Sequence, residues 1–92
     1  MIKSAANKRT AQFLRGKRVA DFQEFEQQAQ RRLAVLRDAS CIEDLMKLRS
    51  NRFEALGGSR RGQFSIRINE QWRICFTFHD GDAYDVEIVD YH

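Results

Sequence analysis

The sequence lacks the features of a membrane segment, a secreted protein or a metal centre. Its opening, Met1 to Ser4, has no apolar stretch like that of a signal peptide, and nowhere do about 18 apolar residues follow one another to span a bilayer. There are two cysteines and two histidines, and Cys41 and Cys75 have neither CxxC spacing nor a nearby ligand cluster. We therefore expect a cytoplasmic protein without metal or cofactor, whose cysteines pack as thiols.

Linkers, internal repeats and low-complexity segments are also missing. The 92 residues and 10.8 kDa suit one domain covering residues 1–92. Hydrophobic residues make up 42% of the chain and charged residues 32%, which is typical of a folded globular protein. A domain of this size has little room for an enclosed cavity, so we expect any active site to be a shallow surface.

Charge is distributed unevenly between the two parts of the chain. Residues 1–61 carry 14 Lys/Arg against 7 Asp/Glu, whereas residues 62–92 carry 2 against 6. A local basic surface favours a polyanionic partner, with nucleic acid ahead of an anionic membrane, because Lys and Arg bind phosphates by releasing condensed counterions. The alternative is that pairs such as Arg31-Arg32 are only the solvated face of a helix.

Apolar residues recur at helical spacing in the first half. Residues 21–38 predict the clearest helix, with Asp21 and Glu24 in the positions of a capping box. Residues 7–14 predict a shorter helix, and residues 42–48 predict one or two helical turns. The buried stripe of the long helix would consist of Phe22, Phe25, Ala29, Leu33 and Leu36.

Apolar and polar residues alternate in the second half, as they do in strands with one buried face. Asp80-Gly81 supplies a positive-φ turn between two of these strands. The expected fold is α+β, in the order β-α-α-β-β-β-β, with two to three helices packed on one face of a small antiparallel sheet. The predicted strands cover Ile2 and residues 53–56, 64–68, 72–78 and 83–89.

The face of this sheet that points away from the helices would carry polar side chains. Arg67 and Arg73, with Ser65 and Thr77, alternate with the apolar residues and are therefore directed away from the core. Such a face is open for a ligand, although one face of an antiparallel sheet is ordinarily solvated without any further purpose.

Two long segments, and more weakly the rest of the chain, resemble HigB-type toxins of the RelE/ParE superfamily, the toxins of type II toxin–antitoxin systems. They are NRFEALGGSRRGQFSIRINEQWRICF at 51–76, which contains an N-x-x-W-R block at 69–73, and VEIVDYH at 86–92. The resemblance implies a RelE-like fold and a metal-free endoribonuclease that cleaves mRNA in the ribosomal A site. It also implies a HigA-like helix-turn-helix antitoxin, through which the complex would bind operator DNA.

Metal-free RNA cleavage by the 2′-hydroxyl needs a base, an acid and cations on the phosphorane. With the resemblance, these requirements identify four candidate catalytic residues. His92 has a side chain suited to proton transfer near neutral pH, and Arg73 would stabilise the phosphorane charge. Tyr91 would donate a hydrogen bond or stack on a base, and Asp90 would orient His92 or accept a proton. Ordinary terminal-strand packing is the alternative for Tyr91 and Asp90.

Further basic residues are expected to bind RNA or the ribosome. Some relatives carry a Lys or His in the loop where this chain has residues 54–58, and Arg60 or Arg61 would substitute for it. Another departure is Ala5-Ala6, where an aromatic residue often stands in such toxins. The expected RNA- and ribosome-binding residues are Arg67, Arg60, Arg61, Lys8, Arg9, Arg15, Lys17 and Arg18.

Two other functions fit the same sequence features. A non-catalytic inhibitor of DNA gyrase, like the ParE branch, would share the fold, so fold alone does not separate the two. The Asp90-Tyr91-His92 ending favours the nuclease, because a toxin that only binds needs no proton-transfer residue beside arginines. A plain RNA-binding module would bind RNA without forming products.

Overall fold

The computed structural model describes residues 1–90, which form helices packed against a four-stranded antiparallel sheet. This arrangement confirms the expected α+β class. No helix within residues 1–90 is long and apolar enough to cross a membrane. The helices are α1 (Lys8–Leu14), α2 (Glu26–Asp38) and α3 (Ile42–Lys47), and the strands are β1 (Glu54–Ala55), β2 (Phe64–Arg67), β3 (Trp72–His79) and β4 (Asp82–Asp90). Short 3₁₀ helices lie at Ala20–Phe25, Arg49–Asn51 and Gly58–Arg60.

The strands follow one another in the sheet as β1-β2-β3-β4, the meander that the alternating pattern predicts. Ile66, Ile74 and Ile88 stand opposite one another on the three longer strands and are fully buried. Apolar side chains of the helices pack on this side of the sheet and complete the core. The largest of them are Phe13, Phe22, Phe25, Leu33, Leu36 and Leu45.

The N-terminal segment lies alongside the outer edge of β4. Ile2 and Ala5 form isolated parallel bridges to Ala83 and Val86, so the short strand predicted at Ile2 is present only as bridge pairing. The Lys3 amide donates to the Ala83 carbonyl at 2.8 Å, and the Ala83 amide donates to Met1 at the same distance. These bonds occupy backbone groups that an edge strand would otherwise expose.

The start of α2 differs from the sequence-based prediction. Residues 20–25 form a 3₁₀ helix and α2 begins at Glu26, so the capping box predicted at Asp21 is wrong. The Asp21 carboxylate instead pairs with Arg9 at 2.8 Å. The physical reason is that Phe22 and Phe25 are both buried three residues apart, and side chains at this spacing lie on the same side of a 3₁₀ helix.

The ends of the other elements agree with the local chemistry of the sequence. Asn7 caps α1 by accepting a hydrogen bond from the Thr10 amide at 3.0 Å. Gly16 follows that helix with φ of 84°. Asp80 and Gly81 both have positive φ, 51° and 82°, which is the conformation of the tight turn expected between β3 and β4.

Candidate active site

The sheet face opposite the helices carries a row of polar side chains that crosses all four strands. Glu54, Ser65, Cys75 and Glu87 are successive partners in the strand register, because Glu54 pairs with Ser65, Ser65 with Cys75, and Cys75 with Glu87. Arg67 and Arg73 are paired next to this row on β2 and β3. We call the surface formed by Ser65, Arg67, Arg73, Cys75 and Glu87 the arginine face.

Arg73 lies on the predicted face but does not project from it. Its side chain is only 10% exposed. Its Nε donates to Ser65 Oγ at 2.8 Å, and its Nη2 donates to the carbonyl of Arg52 and, at 3.5 Å, to that of Ser65. The Glu54 carboxylate lies 3.7 Å from the same nitrogen. The expectation of an openly projecting Arg73 is therefore wrong, because these acceptors hold the guanidinium along the sheet.

Arg60 approaches the arginine face from the loop before β2. Its Nη1 contacts the Glu87 carboxylate at 3.2 Å and also donates to Gln63 Oε1 at 3.1 Å. The other oxygen of Glu87 accepts a bond from the Asn7 side chain at 3.4 Å. Arg61, the next residue, is exposed. Of the two arginines proposed to replace the loop Lys or His of relatives, Arg60 is the one held at this face.

Cys75 is buried between these charged groups. Burial raises the pKa of its thiol, and Glu87 acts in the same direction, while Arg60 and Arg73 partly oppose the rise. The thiol is therefore protonated at neutral pH, and a protonated thiol is a poor nucleophile. Both cysteines are free thiols; Cys75 is buried as expected, and Cys41 is half-buried.

Asp90 is the last residue of β4 and follows Val89, the cross-strand partner of Arg73. Its side chain lies on the opposite face of the sheet from that of Arg73. It pairs with Trp72, whereas Arg73 pairs with Val89, and neighbouring residues of a strand alternate between faces. Its carboxylate accepts a hydrogen bond from Gln71 Nε2 at 3.0 Å. The two other predicted catalytic residues, Tyr91 and His92, lie outside the described residues. Their roles, and that of Asp90, stay predictions.

The basic residues expected to bind RNA are placed in different surroundings. Arg67 belongs to the arginine face and lies 3.9 Å from Glu70. Arg9 is engaged internally, because it pairs with Asp21 and its guanidinium lies over the rings of Phe22 and Trp72. The remaining residues predicted around α1, all exposed, are Lys8, Arg15, Lys17 and Arg18. RNA binding by this second set is still a prediction.

Glu54 and Glu87 were not identified from the sequence as site residues. Glu87 lies between the apolar residues Val86 and Ile88, so strand alternation would have placed it on the face away from the core, where Arg73 was also predicted. For Glu54 no comparable signal exists, since β1 has two residues and its register depends on pairing with Ser65. Among residues 1–90, no group of three or more His, Cys, Asp or Glu side chains is arranged to hold a metal ion.

Comparison with known proteins gives one family and two similar relatives. The sequence profile of the RelE-like toxin of type II toxin–antitoxin system HigB matches residues 5–92. Toxin HigB-1 of Vibrio cholerae serotype O1 is 43% identical over 53 residues, which is 58% of this chain and 56% of that protein. Endoribonuclease HigB of Proteus vulgaris is 49% identical over 37 residues, 40% of each chain. The matched segments thus span about half or less of each relative.

Proposed function

The chain belongs to the HigB-like family of RelE-like toxins from type II toxin–antitoxin systems, and we propose on this basis that it is a metal-independent endoribonuclease that cleaves mRNA on the ribosome. In this proposal the cleavage inhibits translation and growth. A HigA-like helix-turn-helix antitoxin neutralises the toxin and carries the complex to operator DNA. The relative named Endoribonuclease HigB supports the nuclease over a ParE-like gyrase inhibitor.

The immobilised guanidinium of Arg73 is the observation that carries the proposal. Hydrogen bonds to Ser65 and Arg52 fix its position before any substrate binds. A charge that needs no reorganisation stabilises a transition state better than a mobile one does. Val89 pairs with Arg73, and Asp90 follows it as the last residue of β4.

The proposed reaction is an intramolecular transesterification. The 2′-oxygen attacks the neighbouring phosphorus while its proton passes to a general base, and Asp90, which lies on the other side of the strand from Arg73, is proposed to orient His92. The bond from phosphorus to the 5′-oxygen breaks, and His92 donates the proton that the leaving oxygen requires. Arg73 stabilises the charge on the phosphorane, and Tyr91 stacks on a base or donates a hydrogen bond.

Cleavage is proposed to depend on the ribosome. A shallow sheet face does not by itself hold a flexible RNA strand in the in-line geometry that the 2′-hydroxyl attack demands. The A site would provide that geometry, and the basic residues of the N-terminal half would contact ribosomal RNA phosphates.

The test is in vitro translation with the purified protein, followed by mapping of the mRNA ends. We expect a 2′,3′-cyclic phosphate, or the 3′-phosphate derived from it, together with a 5′-hydroxyl. EDTA added after ribosomes have been programmed should leave the cleavage step unchanged, and a 2′-deoxy nucleotide at the cleaved position should block it. Products with 5′-phosphates, or cleavage of the 2′-deoxy substrate at the same bond, would refute transesterification. Gyrase inhibition without mRNA cleavage would support the ParE-like alternative.

A further inference from the structure

A groove lined by arginines lies between α2 and the turn that joins β2 to β3. It has a volume of about 440 Å³. Three of its lining residues are arginines, and the acidic residue among them is Glu70, whose side chain is 95% exposed. The groove is therefore cationic. Its lining, which we call the arginine groove, consists of Gln28, Arg32, Ser50, Arg52, Arg67, Ile68, Asn69 and Glu70.

Arg32 is held in place by a buried side chain. Its Nη1 donates to Asn51 Oδ1 at 2.7 Å, and Asn51 is fully buried with its own amide donating to the Leu45 carbonyl at 3.0 Å. A guanidinium has five N–H donors, and this bond uses one of them. Asn51 thus fixes the direction of Arg32 at the groove, which lowers the entropy that a ligand would have to remove.

Arg52 has an unfavourable backbone conformation at the same place. Its φ of 46° and ψ of 47° lie in the left-handed region, which costs a non-glycine residue about 1–2 kcal/mol. The conformation is retained by two bonds: the Arg52 amide donates to the Arg49 carbonyl at 3.0 Å, and the Arg52 carbonyl accepts from Arg73. Arg52 therefore exposes its side chain to the groove while its backbone carbonyl accepts a hydrogen bond from Arg73, the proposed catalytic arginine.

Arg67 makes the groove continuous with the arginine face. It lines the groove, and it is also the cross-strand partner of Arg73. Directly opposed residues in an antiparallel pair have their Cβ atoms about 4.5–5.5 Å apart, so the side chains of Arg67 and Arg73 start next to each other on the sheet. An RNA strand whose scissile phosphate lies at Arg73 can therefore place an adjacent phosphate near Arg67, at the edge of the groove.

We propose that the arginine groove is a subsite for the backbone phosphates of the RNA strand that flank the scissile bond. The proposal rests on the proposed function for the location of the scissile phosphate at Arg73. Planar guanidinium groups suit phosphate because they donate paired N–H bonds to two of its oxygens. An acidic protein segment would meet the same charges, but continuity with the arginine face favours the nucleic acid strand.

The first experiment measures the affinity of the whole protein for a short single-stranded RNA as a function of salt. Arg52→Gln and Arg67→Gln should each weaken binding several-fold and reduce the slope of log affinity against log salt by about 0.7, the value for one lost phosphate contact on a single strand. Glu70→Gln should strengthen binding. Arg37→Gln is the matched control, because Arg37 is an exposed arginine of α2 that lines a different hollow, and it should leave affinity and slope unchanged.

The second experiment places single uncharged methylphosphonates along an mRNA on programmed ribosomes. Neutralising one flanking phosphate should slow cleavage by the parent protein. The Arg52→Gln variant already lacks the contact to that phosphate, so the same methylphosphonate should not slow its cleavage further. If the effects of the methylphosphonate and of Arg52→Gln on the cleavage rate were additive at every position, the groove would not be an mRNA-binding subsite. Unchanged RNA affinity in Arg52→Gln together with loss of antitoxin binding would overturn it in favour of an acidic protein segment.

The outcomes separate this inference from the proposed function. If the parent protein cleaves mRNA and the groove variants bind and cleave as it does, the groove proposal fails and the nuclease stands. If the parent protein binds RNA through Arg52 and Arg67 but cleaves none, the groove stands as an RNA site and the nuclease fails. Circular dichroism of each variant confirms that it is folded before its affinity is interpreted.

Discussion

At the scale of single residues, Arg73 has two roles. It donates hydrogen bonds to the Ser65 hydroxyl and the Arg52 carbonyl, and it is proposed to stabilise the phosphorane. Arg73→Ala should slow mRNA cleavage by about 10²–10³-fold, the loss typical of one transition-state charge stabiliser. It should also lower the free energy of unfolding by about 1–3 kcal/mol, because the Ser65 hydroxyl and the Arg52 carbonyl lose a buried donor. Single-turnover cleavage and urea unfolding measure the two effects. A loss of ribosome affinity in proportion to cleavage would instead make Arg73 an anchoring residue.

His92 is the residue on which proton transfer is proposed to depend. His92→Ala should abolish mRNA cleavage and growth inhibition while the circular dichroism spectrum stays that of the parent protein. His79→Ala is the matched control, because His79 is exposed at the opposite end of β3 from Arg73, and it should retain parental activity. Parental cleavage rates in a folded His92→Ala variant would remove His92 from the mechanism.

At the scale of elements, the turn between β3 and β4 depends on Gly81. Its φ is 82°, and a Cβ at this position would lie 3.1 Å from the Ser40 carbonyl oxygen. Gly16 has a similar φ of 84°, but a Cβ there would meet nothing within 4 Å. Gly16→Ala should therefore cost only the left-handed backbone penalty of about 1–2 kcal/mol, and Gly81→Ala should cost more. Equal losses in chemical denaturation would mean that the segment at Ser40 moves away freely.

Helix α3 is stabilised at its start by a carboxylate that points back along the chain. Asp44 accepts hydrogen bonds from the Ser40 amide at 2.9 Å and the Ser40 hydroxyl at 3.0 Å, and these bonds lower its pKa below the usual 3.8. Because the folded-state pKa is depressed, the stabilisation is present above pH 3.8 and is lost as pH falls through the folded-state pKa.

Asp44→Asn should consequently lower Tm near neutral pH, and its difference from the parent protein should shrink as the solution is acidified below pH 3.8. Glu43→Gln is the control, since it removes the neighbouring charge in the first turn of α3 without touching the Ser40 bonds. A Tm difference for Asp44→Asn that stayed constant across the acid range would argue against stabilisation through the ionised carboxylate.

For the whole molecule, the N-terminal segment closes the outer edge of the sheet. A chain beginning at Ala5 would lose the Lys3–Ala83, Ala83–Met1 and Val86–Ser4 backbone bonds. At about 0.5–1.5 kcal/mol net for each bond, the loss is about 1.5–4.5 kcal/mol, and the exposed edge of β4 should promote aggregation. Thermal unfolding and light scattering measure both. Lys3→Ala, which keeps the backbone bonds, should unfold like the parent protein.

The local pattern of the sequence determined which segments are helices and strands. Spacing of three and four identified the buried side of α2, and alternation identified the two faces of β2 and β3. Asp80-Gly81 specified its own turn, because glycine adopts positive φ without strain. The boundary at Glu26 was missed, since the burial of Phe22 and Phe25 overrode the capping signal at Asp21.

The surroundings of the site side chains were decided by tertiary structure. Strand alternation places Arg73 on the correct face, but its burial depends on the Arg52 carbonyl, which lies 21 residues earlier in the chain. The Arg60–Glu87 contact likewise spans 27 residues. The arginine groove exists because α2 packs beside the β2–β3 turn. Periodicity reports only which side of its own element a residue occupies, whereas such contacts depend on how separate elements pack against one another.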